Sequence, residues 1–537
     1  MIPLDGHSLT LPSLVAIADG REAVAIAPAA AARIRAARAV VDRHAHGDEP
    51  VYGINTGFGS FAEVKIAPDA LEALQRNLVR SHAAGVGEPL AVREVRAAMA
   101  LRANVLAKGY SGIRLETLEA LVALLNAGIH PVVPSRGSVG ASGDLAPLAH
   151  IALVLIGEGE TWPLEDQRRD RGDRREAAQG LESEPLEDAL RSQRSQRFSW
   201  TSGREALRQA GLAPVVLAPK EGLALINGTQ PSTAVLALAL DGAETLARAA
   251  DIAAALSIDA LRGSMHPFEA RIHEARGFAG QITSAANIQR LMRNSAINAS
   301  HQNCGRVQDA YSMRCAAQVH GAARDAFAFV RRTVEIEANA ATDNPMVFAE
   351  AGEIVSGGNF HGAPIAIAAD LLAAALVPLA TISERRTDRL VDPAKSGLPA
   401  FLTRDGGLRS GLMIAQVTAA ACASELKSLA HPAGADSIPT SAGREDHVSM
   451  SMTAAVKAAR ALERARDVIA VELLCACQAI DLLAPLTTSD PLAHVHRVVR
   501  SMVPTLDDDR PLSREIAAIA RMIASRELEN PVDRLVK

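Results

Sequence analysis

Residues 135 to 150 read SRGSVGASGDLAPLAH, three glycines and three serines set directly in front of an apolar run. Gly143 has no Cβ, so its amide nitrogen can approach the carbonyl carbon of Ala141 more closely than most residues would allow. Attack by that nitrogen closes a five-membered ring. Loss of water from the ring and of the Ser142 hydroxyl then leaves a methylene conjugated to a carbonyl, an electrophile that unmodified side chains lack. The same residues also suit a plain helix start, with Asp144 or Ser142 capping a helix that begins near Leu145. Three residues alone favour the cap. The surrounding chain decides between the two.

The chain has 537 residues, with 48% hydrophobic but only 3% aromatic content. Its core must therefore be filled by Ala, Leu, Val and Ile, the composition of closely packed helices, and a mainly α fold with a long-helix bundle at its core is expected. The net charge is −5, and acids interleave with bases in the one charge-rich segment, so nucleic acid and anionic membrane are not expected as partners. The N-terminus lacks the basic and apolar regions of a secretory signal, and no uninterrupted apolar run long enough to cross a bilayer is evident. A cytoplasmic protein is expected. Five scattered cysteines do not form a disulfide framework, and Cys475 and Cys477 are too close to share a helix face, so no metal site is expected there.

Two regions are expected: residues 1–220, loop-rich and carrying the Gly/Ser turn, and residues 221–537, a central bundle with C-terminal helices. Within the first, residues 163–205 shift abruptly to mixed charge, Gln and Ser and read as a flexible insertion. Residues 8–14 read as an extended start, followed by helix from Pro28. VYGINTGFGSFAEVKI (51–66) is a glycine-rich loop holding Tyr52, one of three tyrosines. LEALQRNLVRSHAAGVG (71–87) has helical spacing and ends near His82, which on its own reads as a complement to the helix dipole. KEGLALINGTQ (220–230) places Asn227 in a tight turn.

From Thr233 onward, long Ala/Leu patterns suggest the bundle. Gln308, Tyr311 and Arg314 recur at spacing three, which predicts one helical or 3₁₀ face of polar heads, costly unless it meets water or a ligand. SGGNFH (356–361) is a glycine-rich loop carrying Phe360. SAGRED (441–446) sets Glu445 before a helical run, where an acid commonly complements the dipole.

Taken together, YGINTGFG, LVRSHAAGVG, GSVGASGDLAPLAH, KEGLALINGTQ, the QDAYSMRC run, SGGNFH and SAGREDHVSM resemble, in order and from about Ser8 to Asp481, the blocks of the histidine and phenylalanine ammonia-lyase family. The resemblance implies that Ala141-Ser142-Gly143 becomes 4-methylideneimidazol-5-one (MIO), that Tyr52 and Tyr311 are catalytic, and that Arg314 grips the substrate carboxylate. It implies that Asn227 and Gln308 line the prosthetic group and the amino-acid backbone, while His82, Phe360 and Glu445 shape the ring end. It further implies a homotetramer acting on a small amino acid.

The chemistry agrees with these roles. Ammonia is a poor leaving group and the β-hydrogen is barely acidic, so an electrophile for the amine and a base for the proton are both needed. Arg314 offers a planar fork for a carboxylate. Ser81-His82 speaks only against phenylalanine, whereas a carboxylate at position 445 suits an imidazole, and L-histidine going to trans-urocanate, the first step of histidine degradation, is the favoured reading. A tyrosine or phenylalanine ammonia-lyase or an aminomutase is the nearer alternative, and a helical scaffold without catalysis the remoter one. Ala316-Ala317, Gly434-Ala435 and Leu426 depart from the family pattern and bear on pocket tuning.

Overall fold

Alanine-rich helices approach closely because a methyl side chain holds backbones little apart. In the computed structural model this governs both compact units of the chain. The structure describes residues 1–45, 47, 49–163, 200–301 and 307–537. The charged insertion, apart from its two ends, and Cys304 therefore lie outside the described residues.

One unit comprises Met1–Ala237, Thr333–Ile367 and Ala433–Val456. Helices Leu71–His82, Leu145–Leu155 and Glu221–Ile226 pack on one another around buried Leu78, Val79, Leu148, Ala149, Ala224 and Ile226. Short strand pairs brace the connections, among them Val86–Pro89 antiparallel to Pro134–Arg136, which leads into the Gly/Ser turn. The expected extended start at residues 8–14 is corrected: Leu11–Ala18 is a helix. The Thr10 side chain accepts from Ser13 N and Pro12 sits in the first turn, where its missing N–H costs nothing.

The other unit comprises Leu238–Arg332, Ala368–Pro432 and Lys457–Lys537. Ala249, Ala250, Ala253, Ala254 and Ala255 are at most 1% exposed there. Two clusters of buried charge in it are paired. Arg386 and Glu472, both fully buried, form a salt bridge that Ser257 Oγ also joins, and Asp251 receives His320 Nδ1 and Arg324. Four long helices of the chain, Gln230–Ala260, Ala316–Glu337, Ala363–Val391 and Ser451–Leu482, run 31, 22, 29 and 32 residues. The expected mainly α, long-helix architecture is what the chain forms.

The expectation about apolar runs needs one amendment. Ala363–Val391 is long and apolar enough to cross a membrane, with a mean hydropathy of 2.2 over its most apolar window, although 61% of that window is buried inside the protein. It has the character of a core helix.

Candidate active site

The Gly/Ser turn is held from both sides within its unit. Gly143 pairs with Gly228 in a short parallel bridge at φ +69°, and a Cβ built on it would lie 2.3 Å from the Gly228 carbonyl oxygen. Only glycine fits that approach. Asp144 N donates to the same carbonyl at 2.8 Å. On the other side, Ser449 Oγ and Gly362 N donate to the Gly140 carbonyl, and Met450 N donates to Val139 O.

The cap reading is half right. A helix does begin at Leu145, but no side chain caps its start. Asp144, fully buried, instead accepts from Ser138 Oγ at 2.7 Å and from Ser232 N at 2.8 Å, so it serves the first turn of Gln230–Ala260. The carboxylate ties the turn to a helix start some ninety residues away. Burial raises its pKa, and these donors hold it back.

Around Ser142 the structure gathers Asn227 and Glu445, with His82 near the Glu445 carboxylate. Asn227 Nδ2 donates to the Ser142 carbonyl at 2.9 Å, while Asn227 Oδ1, also buried, has no partner among the described residues. The Ser142 hydroxyl donates to Glu445 Oε1 at 2.6 Å. Thr440 and Ser441 hydroxyls hold Glu445 Oε2, two residues that no local sequence signal singles out. Glu445 does not cap a helix, since the next α-helix starts only at Ser451. Burial opposes its ionisation, yet the three hydroxyls and nearby His82 outweigh it and keep its pKa below the ordinary value.

His82 closes the helix Leu71–His82 as expected. Its Nδ1 lies 2.8 Å from the Leu78 carbonyl, which can only accept, so Nδ1 carries the proton and Nε2 keeps a lone pair. Burial lowers its pKa and favours this neutral form, with the Leu78 bond and Glu445 pulling the other way. Tyr52 sits in the 51–55 turn, edge-on to Phe58 with ring centroids 6.3 Å apart. Phe360 lies two residues before Gly362, and the next residue, His361, stacks on His447 at 5.8 Å.

Gln308, Tyr311 and Arg314 also come together, in the second unit. Their expected single helical or 3₁₀ face is corrected: only Tyr311–Arg314 is helical, and Gln308 precedes it outside any regular element. The contact is made by side chains instead, with Arg314 Nη2 donating to Gln308 Oε1 at 3.0 Å and the guanidinium 4.6 Å from the Tyr311 ring centroid. Tyr311 is 70% exposed.

Residues 9–501 match the family model described as aromatic amino acid lyase. The chain belongs to the aromatic amino acid lyase family. It is 55% identical to histidine ammonia-lyase of Anaeromyxobacter dehalogenans (strain 2CP-C) over 528 residues, covering 98% of this chain and 99% of the relative. Among solved structures, histidine ammonia-lyase from Trypanosoma cruzi superposes with a TM-score of 0.87 at 43% identity, covering 100% and 96% of the two chains. Tyrosine aminomutase from Streptomyces globisporus does so with 0.89 at 35%, covering 100% and 99%. The family fold is thus the one this chain adopts. Members acting on different amino acids share it, so substrate must be argued from side chains.

Proposed function

We propose that the protein eliminates ammonia from L-histidine to give trans-urocanate, at an electrophile that Ala141, Ser142 and Gly143 form by cyclisation. The observation that carries this reading is the hydrogen bond from Ser142 Oγ to Glu445 Oε1, on the carboxylate that also feels His82. The residues fit the prosthetic group. The Gly143–Gly228 bridge leaves no room for a side chain, and Asn227 Nδ2 is aimed at the carbonyl that would be conjugated to the methylene. Loss of the Ser142 hydroxyl frees Glu445 Oε1 for a new donor.

When formed, the methylidene-imidazolone supplies the electrophile that turns the amine into a leaving group. Ionised Glu445 and the Nε2 lone pair of neutral His82 are two acceptors: the single N–H of a neutral imidazole satisfies one of them, and the two N–H groups of an imidazolium satisfy both. A phenyl ring would leave both unpaired, at about 1–3 kcal/mol each. Tyr52 is our choice for the base that takes the β-proton as the Cα–N bond breaks and the Cα–Cβ double bond forms. By resemblance to the family the substrate carboxylate falls to Arg314, steadied by Gln308 and Tyr311, and Asn227 Oδ1 is open to accept from the substrate amine. Resemblance to the family supports a cytoplasmic homotetramer.

The test is an intact mass together with an assay. The protein should weigh two waters less than its sequence and form a conjugated acrylate from histidine, followed by ultraviolet absorbance. An unmodified mass overturns the electrophile. Product from tyrosine but not histidine, or a β-amino acid product, overturns the substrate and favours the aminomutase-like alternative.

A further inference from the structure

Glu337 is the last residue of the helix Ala316–Glu337, the negative pole, where an acid is disfavoured. Something other than helix chemistry must account for an acid there. Its Oε1 accepts from the fully buried Thr229 hydroxyl at 2.6 Å. Burial raises its pKa, and the Asp144 carboxylate adds to that while Thr229 opposes it. The same side chain lines a cavity of about 340 Å³ with Thr342, Asn359 and His361. A short chain of contacts links it to the electrophile. Thr229 follows Asn227-Gly228, where Asn227 Nδ2 holds the Ser142 carbonyl and the Gly228 carbonyl holds Asp144 N. The next residue, Gln230, is fixed separately through Thr342 and Arg102, so Thr229 is the point at which this turn meets the Glu337 carboxylate.

We propose that Glu337 is a positioning residue for the elimination: by accepting from Thr229 it fixes the Asn227–Gly228 turn, and so the orientation of the Asn227 amide on the Ser142 carbonyl. This rests on the function proposed above. Glu337 does not touch the reacting atoms. Its effect lies in aim, which governs how well the carbonyl is polarised as charge develops, and not in how tightly substrate binds.

The experiment compares full-length wild type with Glu337→Leu, Glu337→Gln and Thr229→Val, each checked for folding by circular dichroism and for the two-water loss by intact mass. Misaiming by a fraction of an ångström predicts that Glu337→Leu and Thr229→Val each lose about 10- to 100-fold in kcat while KM for histidine stays within roughly threefold. Incomplete water loss in either folded variant also supports the role. Glu337→Gln keeps an acceptor for Thr229 and should stay within about threefold of wild type. The double variant Glu337→Leu/Thr229→Val should be no worse than the poorer single one, because both break one contact. Should Glu337→Leu fail to fold, Thr229→Val, nearly unchanged in volume, decides alone.

Folded variants with full water loss and wild-type kcat overturn the proposal, as does Glu337→Gln falling as far as Glu337→Leu. Wild type that has lost two waters but does not turn over histidine overturns the substrate reading alone, and the variants are then scored on the amino acid it does convert. Wild type with no mass loss overturns both.

Discussion

On the function proposed above, Glu445 carries two duties in sequence, first as acceptor for the Ser142 hydroxyl and then, once that hydroxyl is gone, for the substrate ring. Glu445→Gln keeps the shape but offers the ring a neutral partner. A hydrogen bond to a charged group contributes about 1.5–3 kcal/mol, so kcat/KM for histidine should fall roughly 10- to 150-fold while the variant stays folded, measured by steady-state assay and thermal melting. Unchanged kinetics would remove the case for imidazole recognition. The same side chain sets a pH signature. Its folded pKa lies below the ordinary value of 4.5, so its contribution to stability is complete above that pH and fades as pH falls through the folded value. Melting temperatures of wild type and Glu445→Gln should therefore draw together below pH 4.5. His82 runs in the same direction. With its pKa below 6.5 in the fold, the unfolded chain takes the proton first, and acid erodes stability.

Between elements, the turn and the helix Gln230–Ala260 form one device, with Asp144 capping the helix and Gly228 pressed against Gly143. Gly143→Ala puts a methyl 2.3 Å from a carbonyl oxygen at φ +69°. It should cost about 1–3 kcal/mol in backbone strain alone and leave the two-water loss absent or incomplete, read by intact mass. These pairings explain what was legible in the sequence. Helix periods and the Gly/Ser turn are local patterns, and they located Leu71–His82 and the start at Leu145 closely. Thr10–Ala18 escaped because a proline near the start of a short apolar run looks extended unless Thr10 is taken as its cap. Gln308, Tyr311 and Arg314 were expected on one helical or 3₁₀ face, but the helix covers only Tyr311–Arg314 and side chains bring Gln308 to it. Asp144 to Ser232 and Thr229 to Glu337 were not legible at all, since partners 88 and 108 residues apart leave no mark on local spacing.

At the scale of the molecule, two features are open to test. Arg386 and Glu472 are both fully buried, so Glu472→Ala strands an uncompensated guanidinium; it should lower stability by about 3–5 kcal/mol, seen as an earlier unfolding transition. The charge-rich segment is bounded by Glu160–Thr161 paired antiparallel with Thr201–Ser202, which brings its two ends side by side. Replacing residues 168–198 with a short turn should therefore leave histidine turnover and melting temperature near wild type, and an insoluble or inactive product would contradict this. The neck of that segment has an optical consequence. Trp162 and Trp200 stand edge to face across it, centroids 4.9 Å apart, and they are the only tryptophans in the chain. Intrinsic emission near the red end of protein fluorescence thus reports on this strand pair alone. A denaturation curve followed by that light measures the parting of two indoles and stays blind to the Gly/Ser turn, so fluorescence and activity should be lost at different points whenever the neck frays first.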